Sequence, residues 1–189
     1  VGNDGIWHFD GVGWSQTDAL KHRFWSVWPF SQDNVLAVSQ NAGVYHFDGT
    51  SWSLVSGVEG QFFDLWGTPG GEAFVAGQGV LWHFDGGAWT ETPPPLPAQF
   101  MAVGGTSESD VYAAGYAGSI LHLDGGEWGV HRSVVPDLED VWEDSNGEAF
   151  ATGSFGTVLE YDGSAWTSMT TGTFTDLKGI WGKSRRFVV

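Results

Sequence analysis

An all-β ring of five four-stranded blades, a five-bladed β-propeller, is the fold class this sequence predicts. Three observations predict it. One phrase recurs five times, and its closing Trp falls at 14, 52, 89, 128 and 166, spacings of 37–39 residues. A second phrase recurs in phase with it. No window carries a sustained 3.6-residue apolar period, so almost no helix is expected. Gly is 29 of 189 residues and aromatics are 15%, which suits short strands joined by tight turns.

Each repeat reads as four strands. Strand a carries Ser26-Val27-Trp28, Asp64-Leu65-Trp66, Ala102-Val103-Gly104, Asp140-Val141-Trp142 and Gly179-Ile180-Trp181. Strand b is a small apolar run, as in Ala73-Phe74-Val75-Ala76, usually followed by Gly. Strand c is the first phrase itself: Ile6-Trp7-His8-Phe9, Val44-Tyr45-His46-Phe47, Leu81-Trp82-His83-Phe84, Ile120-Leu121-His122-Leu123 and Val158-Leu159-Glu160-Tyr161. An Asp-Gly pair follows, the strongest short signal for a hairpin, and strand d opens at the repeated Trp. β-branched and aromatic residues at these places favour a pleated, half-buried surface.

The ends complete one another. The last repeat has strands a and b and stops; the first begins at strand c. Counted across the termini, Trp166 to Trp14 is 37 residues, the spacing found inside the chain. One domain of residues 1–189 is expected, closed by a split blade of 176–189 plus 1–16. A solenoid would need capping repeats, and none is visible. The alternative is a stretch of a longer array, which a start without Met and a cut inside strand b would suit.

Blade three, Gly104 through Trp128, best carries the pattern W-G-x-S-x-x-D-V-Y-A-x-G-x-x-G-x-I-L-H-x-D-G-x-x-W, with Gly104 in place of the first Trp. This resembles the tandem propeller repeats of secreted and surface-anchored bacterial proteins. The resemblance implies a propeller fold and an extracellular or cell-surface setting, and it names no single activity. The Asp-Gly-x-x-Trp hairpins are also distantly similar to the Asp-box of sialidase-type propellers, though the spacing differs. Tachylectin-type lectins share the blade number and have longer repeats.

Charge excludes several functions. Seven Lys and Arg against 23 Asp and Glu give a formal net charge of −16. A nucleic-acid backbone or an anionic membrane needs clustered cations, so neither partner is expected. No apolar run approaches a membrane span. Without Cys there is no disulfide and no thiolate chemistry.

Candidate chemistry is sparse. His8, His46, His83 and His122 recur, but equivalent strand-c positions lie far apart around a ring. Hydrogen bonds within each blade are the expected role, and no metal site. The repeated Trp side chains are expected in core packing. Acids gather on the a–b and c–d loop face: Asp10, Asp48, Asp85, Asp124 and Asp162 at the hairpins, with Asp33, Glu72, Glu108, Asp110, Asp144 and Glu148 beside them. They read as turn formers and a solubilising face; Ca2+ is the only cofactor alternative, and no EF-hand or Gly-rich Ca2+ repeat supports it. No catalytic residues stand out, since there is no Gly-x-Ser-x-Gly elbow, phosphate loop or Arg cluster.

Individuality is left to the d–a and b–c loops. Trp25 has no repeat equivalent, its column holding Phe63, Met101, Glu139 and Lys178. Arg23, Trp25, Tyr116 and Arg132 are the expected ligand-binding residues. They are expected to serve a monomeric, non-catalytic recognition module for an extracellular glycan or protein. A multivalent lectin with inter-blade sugar sites is the second reading, and a glycan-cleaving enzyme the third.

Overall fold

The computed structural model describes residues 5–17, 22–131 and 136–183. Among these residues, eighteen short strands form four four-stranded antiparallel sheets and one hairpin. The hairpin is β1 (Trp7–Phe9) and β2 (Trp14–Gln16). Blade one is β3 (Phe24–Ser31), β4 (Asn34–Ser39), β5 (Gly43–Phe47) and β6 (Trp52–Leu54). Blade two is β7 (Phe62–Gly67), β8 (Ala73–Gly77), β9 (Leu81–Phe84) and β10 (Trp89–Thr92). Blade three is β11 (Phe100–Ser107), β12 (Asp110–Gly115), β13 (Ser119–Asp124) and β14 (Glu127–Val130). Blade four is β15 (Leu138–Glu143), β16 (Ala149–Gly153), β17 (Val158–Tyr161) and β18 (Trp166–Met169). The only helical turns among the described residues are two of three residues each, Tyr116–Gly118 and Ser154–Gly156.

The core lies between blades. One cluster joins Ile6 of the hairpin to Phe24, Ala37 and Tyr45 of blade one. The next joins Leu36, Val38 and Val44 to Phe62, Leu65 and Val75. A third joins Phe74 and Leu81 to Phe100, Val103 and Val111. The fourth joins Tyr112, Ala114 and Ile120 to Leu138, Val141 and Leu159. The second strand of each blade is covered on both faces, which explains its continuous small apolar run. The repeated Trp is half-buried, not fully buried: Trp52, Trp89 and Trp166 lie tilted against Phe47, Phe84 and Tyr161 with ring centroids 5.1–5.4 Å apart. Trp14 packs likewise on Phe9 at 5.3 Å but stays exposed.

The Gly that ends strand b is a contact requirement. A Cβ at Gly77, Gly115 or Gly153 would lie 2.0–2.2 Å from the carbonyl oxygen of Gln61, Gln99 or Asp137. Opposite the end of strand b, at Ser39, Gly77, Gly115 and Gly153, every first strand shifts register, between Phe24 and Ser26, Phe62 and Asp64, Phe100 and Ala102, and Leu138 and Asp140. Such a bulge re-aims one side chain, and the skipped residues are Trp25, Phe63, Met101 and Glu139.

The next residue in that column clips blades together. Asp64 Oδ2 accepts the Val103 N–H of blade three at 2.9 Å, and Asp140 Oδ2 accepts the Ile180 N–H at 2.7 Å. Burial raises both carboxyls, Asp64 to about 7. At the hairpins, Asp10, Asp48, Asp85 and Asp162 each accept two backbone N–H groups from two and three residues on. Those hydrogen bonds, led at Asp162 by one from the Ser164 hydroxyl, favour the carboxylate and hold its pKa below the usual value. The expected closure through Val1–Asp4 and Ser184–Val189 lies outside the described residues.

Candidate functional site

Two places depart from the repeat, one on each face. On the face of the b–c and d–a loops, the bulge column carries Trp25, Phe63, Met101 and Glu139. Trp25 meets Phe63 edge-on at 5.7 Å, and the Arg23 guanidinium lies over the Trp25 ring at 4.4 Å. Such stacking favours a cation on the ring face and keeps the charge facing solvent. Farther round, Lys178 pairs with Glu139 and Asp176. Of the four expected ligand-binding residues, Arg23 and Trp25 lie in contact. Tyr116 is exposed on the same face but two blades away, its N–H donated to Gln99 O at 3.0 Å. Arg132 lies outside the described residues.

Sequence reading missed two aromatics on this face. Phe155 sits in a left-handed conformation, φ 57°, yet its residue is 67% exposed. Its backbone N–H donates to Asp176 Oδ1 at 3.1 Å, as the Ala117 N–H, also at positive φ, donates to Asp137 at 2.9 Å. Beside it is Phe174, 89% exposed. Phe155, Met169, Thr171 and Phe174 line a hollow of about 340 Å3. The left-handed region costs an L-residue about 1–2 kcal/mol, and an exposed ring returns little of that by packing.

On the opposite face, the expected His network is present. His46 Nε2 meets Asn34 Oδ1 at 2.9 Å, His83 meets Glu72 at 2.7 Å, and His122 meets Asp110 at 2.7 Å. The His rings of blades two and three stack on the strand-b aromatic, His83 on Phe74 at 4.3 Å and His122 on Tyr112 at 4.0 Å. Several acids assigned to a solubilising surface are therefore internal partners. Asp144, only 4% exposed, accepts the Asn146 and Glu148 N–H groups. Among the described residues, no three His, Asp or Glu side chains gather as a metal site.

The departure here is a cleft of about 630 Å3 between blades three and four. Two columns of the repeat change beside it. In blade two, a Cβ at Gly67 would lie 2.5 Å from Trp28 Nε1, so the Trp of one blade occupies the space beside the next. In blade three that Trp is Gly104, and in blade four the column of Gly67 holds Glu143. Glu143 is 7% exposed, and its Oε2 has no hydrogen-bond partner. Burial first, then the neighbouring Asp110 carboxylate, pushes its pKa up to about 8. Tyr112, His122, Trp128, His131 and Tyr161 supply aromatic walls. Burial and His122 hold His131 below the ordinary His value. Such a pocket can bind a cation, or hold a proton near neutral pH.

No family model and no curated protein sequence matches this chain. Solved structures do. YCF48 bound to D1 peptide is 18% identical, with a TM-score of 0.63 over 84% of this chain and 57% of that one. Virginiamycin B lyase from Staphylococcus aureus is 11% identical, with a TM-score of 0.65 over 78% and 55%. The WD40 β propeller domain of Doa1 is 9% identical, with a TM-score of 0.69 over 85% and 58%. The fold is a β-propeller. The chain spans a little over half the length of each of these structures, and they include both a lyase and a peptide-bound protein. Among the described residues no helix is long and apolar enough to cross a membrane.

Proposed function

We propose that the chain is a non-catalytic recognition module that binds an extracellular protein segment with its b–c and d–a loop face. Residues 1–189 would form one five-bladed ring, closed by the blade shared between the termini and monomeric. The observation that carries the reading is Phe155. A ring held outward by a strained backbone, with Phe174 and Met169 around one hollow, suits contact with a partner better than stability. Trp25 under Arg23 and the exposed Tyr116 extend that face. Aromatic and Arg side chains are the usual anchors of protein interfaces. A peptide bound to a protein of the same fold, YCF48, supports the choice of a protein over a glycan.

The multivalent lectin is the second reading. Three of the Trp side chains it would use, Trp52, Trp89 and Trp166, pack on Phe47, Phe84 and Tyr161 of their own blades, and Trp166 also meets Tyr112 of blade three, which weighs against a repeated sugar platform. The test is a paired array of tiled extracellular peptides and of glycans, probed with the labelled protein and with Trp25→Ala and Phe155→Gly variants. Peptide binding that both variants weaken supports the reading. Glycan binding that neither variant changes would overturn it.

A further inference from the structure

The loop-face reading makes no use of the cleft between blades three and four. We propose that this cleft binds an organic cation, a protonated amine or a guanidinium on an apolar stem, and that Glu143 takes the charge. Three independent observations carry the proposal.

The first is the pairing of exceptions. Gly104, where a Cβ would lie 2.9 Å from the Val141 carbonyl oxygen of blade four, replaces the Trp that blade one packs beside Gly67, and Glu143 introduces a carboxyl where blades two and three have Gly67 and Gly105. A carboxyl there costs desolvation free energy and is not explained by packing. The second is the hydrogen-bond inventory. Asp110 is already engaged, by His122 at 2.7 Å and by Thr106 Oγ1 at 2.9 Å. The protonated Glu143 carboxyl also hydrogen-bonds Asp110, and its Oε2, in a side chain more than nine-tenths buried, has no donor. An N–H of a bound cation would satisfy it. The third is the lining. Asp124 and Glu127 at the rim give the mouth a negative potential, and Trp128 and Tyr161 offer apolar faces to a stem. About 630 Å3 has ample room for a lysine or arginine side chain.

A hard divalent ion fits less well, because no three ligating groups converge among the described residues. An anion would meet four carboxyls. A neutral polar group would gain no charge attraction from the carboxyls that line the cleft.

Binding should be coupled to a proton. Glu143 is faced by Asp110, Tyr112 and His122 of blade three, by His131 after it, by Asp144 of its own loop, and by Tyr161 of β17. Held at about 8 by burial and Asp110, it carries its proton at neutral pH in the free protein. A cation at Oε2 favours the carboxylate and drives that proton off. Affinity should therefore rise with pH up to about 8 and level off above it.

The experiment is calorimetric titration with Nα-acetyl-lysine amide and, separately, Nα-acetyl-arginine amide, with neutral Nα-acetyl-norleucine amide and CaCl2 as further arms. At about pH 7, buffers of different ionisation enthalpy should reveal close to one proton released per cation bound. An isolated side chain should bind with a Kd of about 1 mM. The lysine and arginine arms decide which stem the cleft prefers. Glu143→Gln should weaken binding about tenfold or more and abolish the proton release. Glu143→Gly, which restores the residue of blades two and three, keeps the test readable should the Gln variant not fold. Asp48→Asn, an equal charge change at a distant hairpin, should leave binding unchanged. Norleucine amide binding as well as the cations, CaCl2 binding in their place, no binding by either cation, or undiminished binding by the Gly variant would each overturn the proposal.

Discussion

Asp64→Asn should flatten the loss of stability that this fold suffers as pH rises. Asp64 lies on the first strand of blade two, accepts the Val103 N–H of blade three at 2.9 Å, and has Ser26 of blade one beside it. Burial is the main cause that lifts its carboxyl from 3.8 to about 7, and the Asp140 charge two blades on adds to it. A carboxyl whose folded pKa exceeds its unfolded pKa stabilises the fold fully below the unfolded value. That contribution is lost as pH climbs through the folded value, here between about pH 4 and pH 7. A shift of this size corresponds to roughly 4 kcal/mol. Asp64 keeps some surface, so screening leaves on the order of 2–3 kcal/mol. Asn retains a carbonyl oxygen for the Val103 N–H and has no charge to bury. Near pH 4 the two proteins should therefore agree within about 1 kcal/mol. Near pH 8 the variant should be the more stable by about 2–3 kcal/mol. Urea denaturation across a pH series reads the difference. Parallel curves for the two proteins would refute the reasoning.

Other outcomes follow from the same geometry. Gly115→Ala places a methyl about 2.0 Å from the Gln99 carbonyl oxygen and should cost about 1–3 kcal/mol by urea denaturation; a cost near zero would mean that the two strands part freely. Removing residues 185–189 should lower the melting temperature of the whole domain, because the split blade would lose strand b and expose an edge; an unchanged melt would speak against a ring closed through its ends.

Most of the fold was legible because every blade repeats the same solution. The strand order, the hairpins and the His network all follow from columns in which one residue type recurs. His122 with Asp110 and His83 with Glu72 are pairs between the start of strand b and the middle of strand c, and both columns are plain in the sequence. The cleft was not read, because its signal is a departure in two columns at once. Gly104 was visible as a missing Trp. Glu143 stood out only against Pro29, Gly67 and Gly105, a column that is aligned once the register of β15 and β16 is known. Phe155 was hidden for a different reason. Left-handed backbone is usually announced by Gly, as at Gly156 next to it. An Asp176 carboxylate reaching back from the following loop holds a Phe in that conformation, as Asp137 holds Ala117 one blade earlier, and the sequence marks both contacts only by an Asp-Leu pair 20 or 21 residues on. The charge signal also misled in part: Asp144, Glu72 and Asp110 count as surface acids by position, yet each is spent on an internal hydrogen bond.

The central claim is that the loop face is built for recognition at some expense of backbone strain. The measurement that tests it most directly is the affinity of the Phe155→Gly variant for the strongest array ligand, read beside its melting temperature. Gly relieves the left-handed strain and gains chain entropy when unfolded, two terms of about 1 kcal/mol that oppose each other. The melting temperature should therefore stay within roughly 2–4 °C of the parent, while affinity falls about tenfold, as expected when an aromatic anchor is removed. A variant that binds as the parent does, or that melts far below it, would contradict the account and return Phe155 to a structural role.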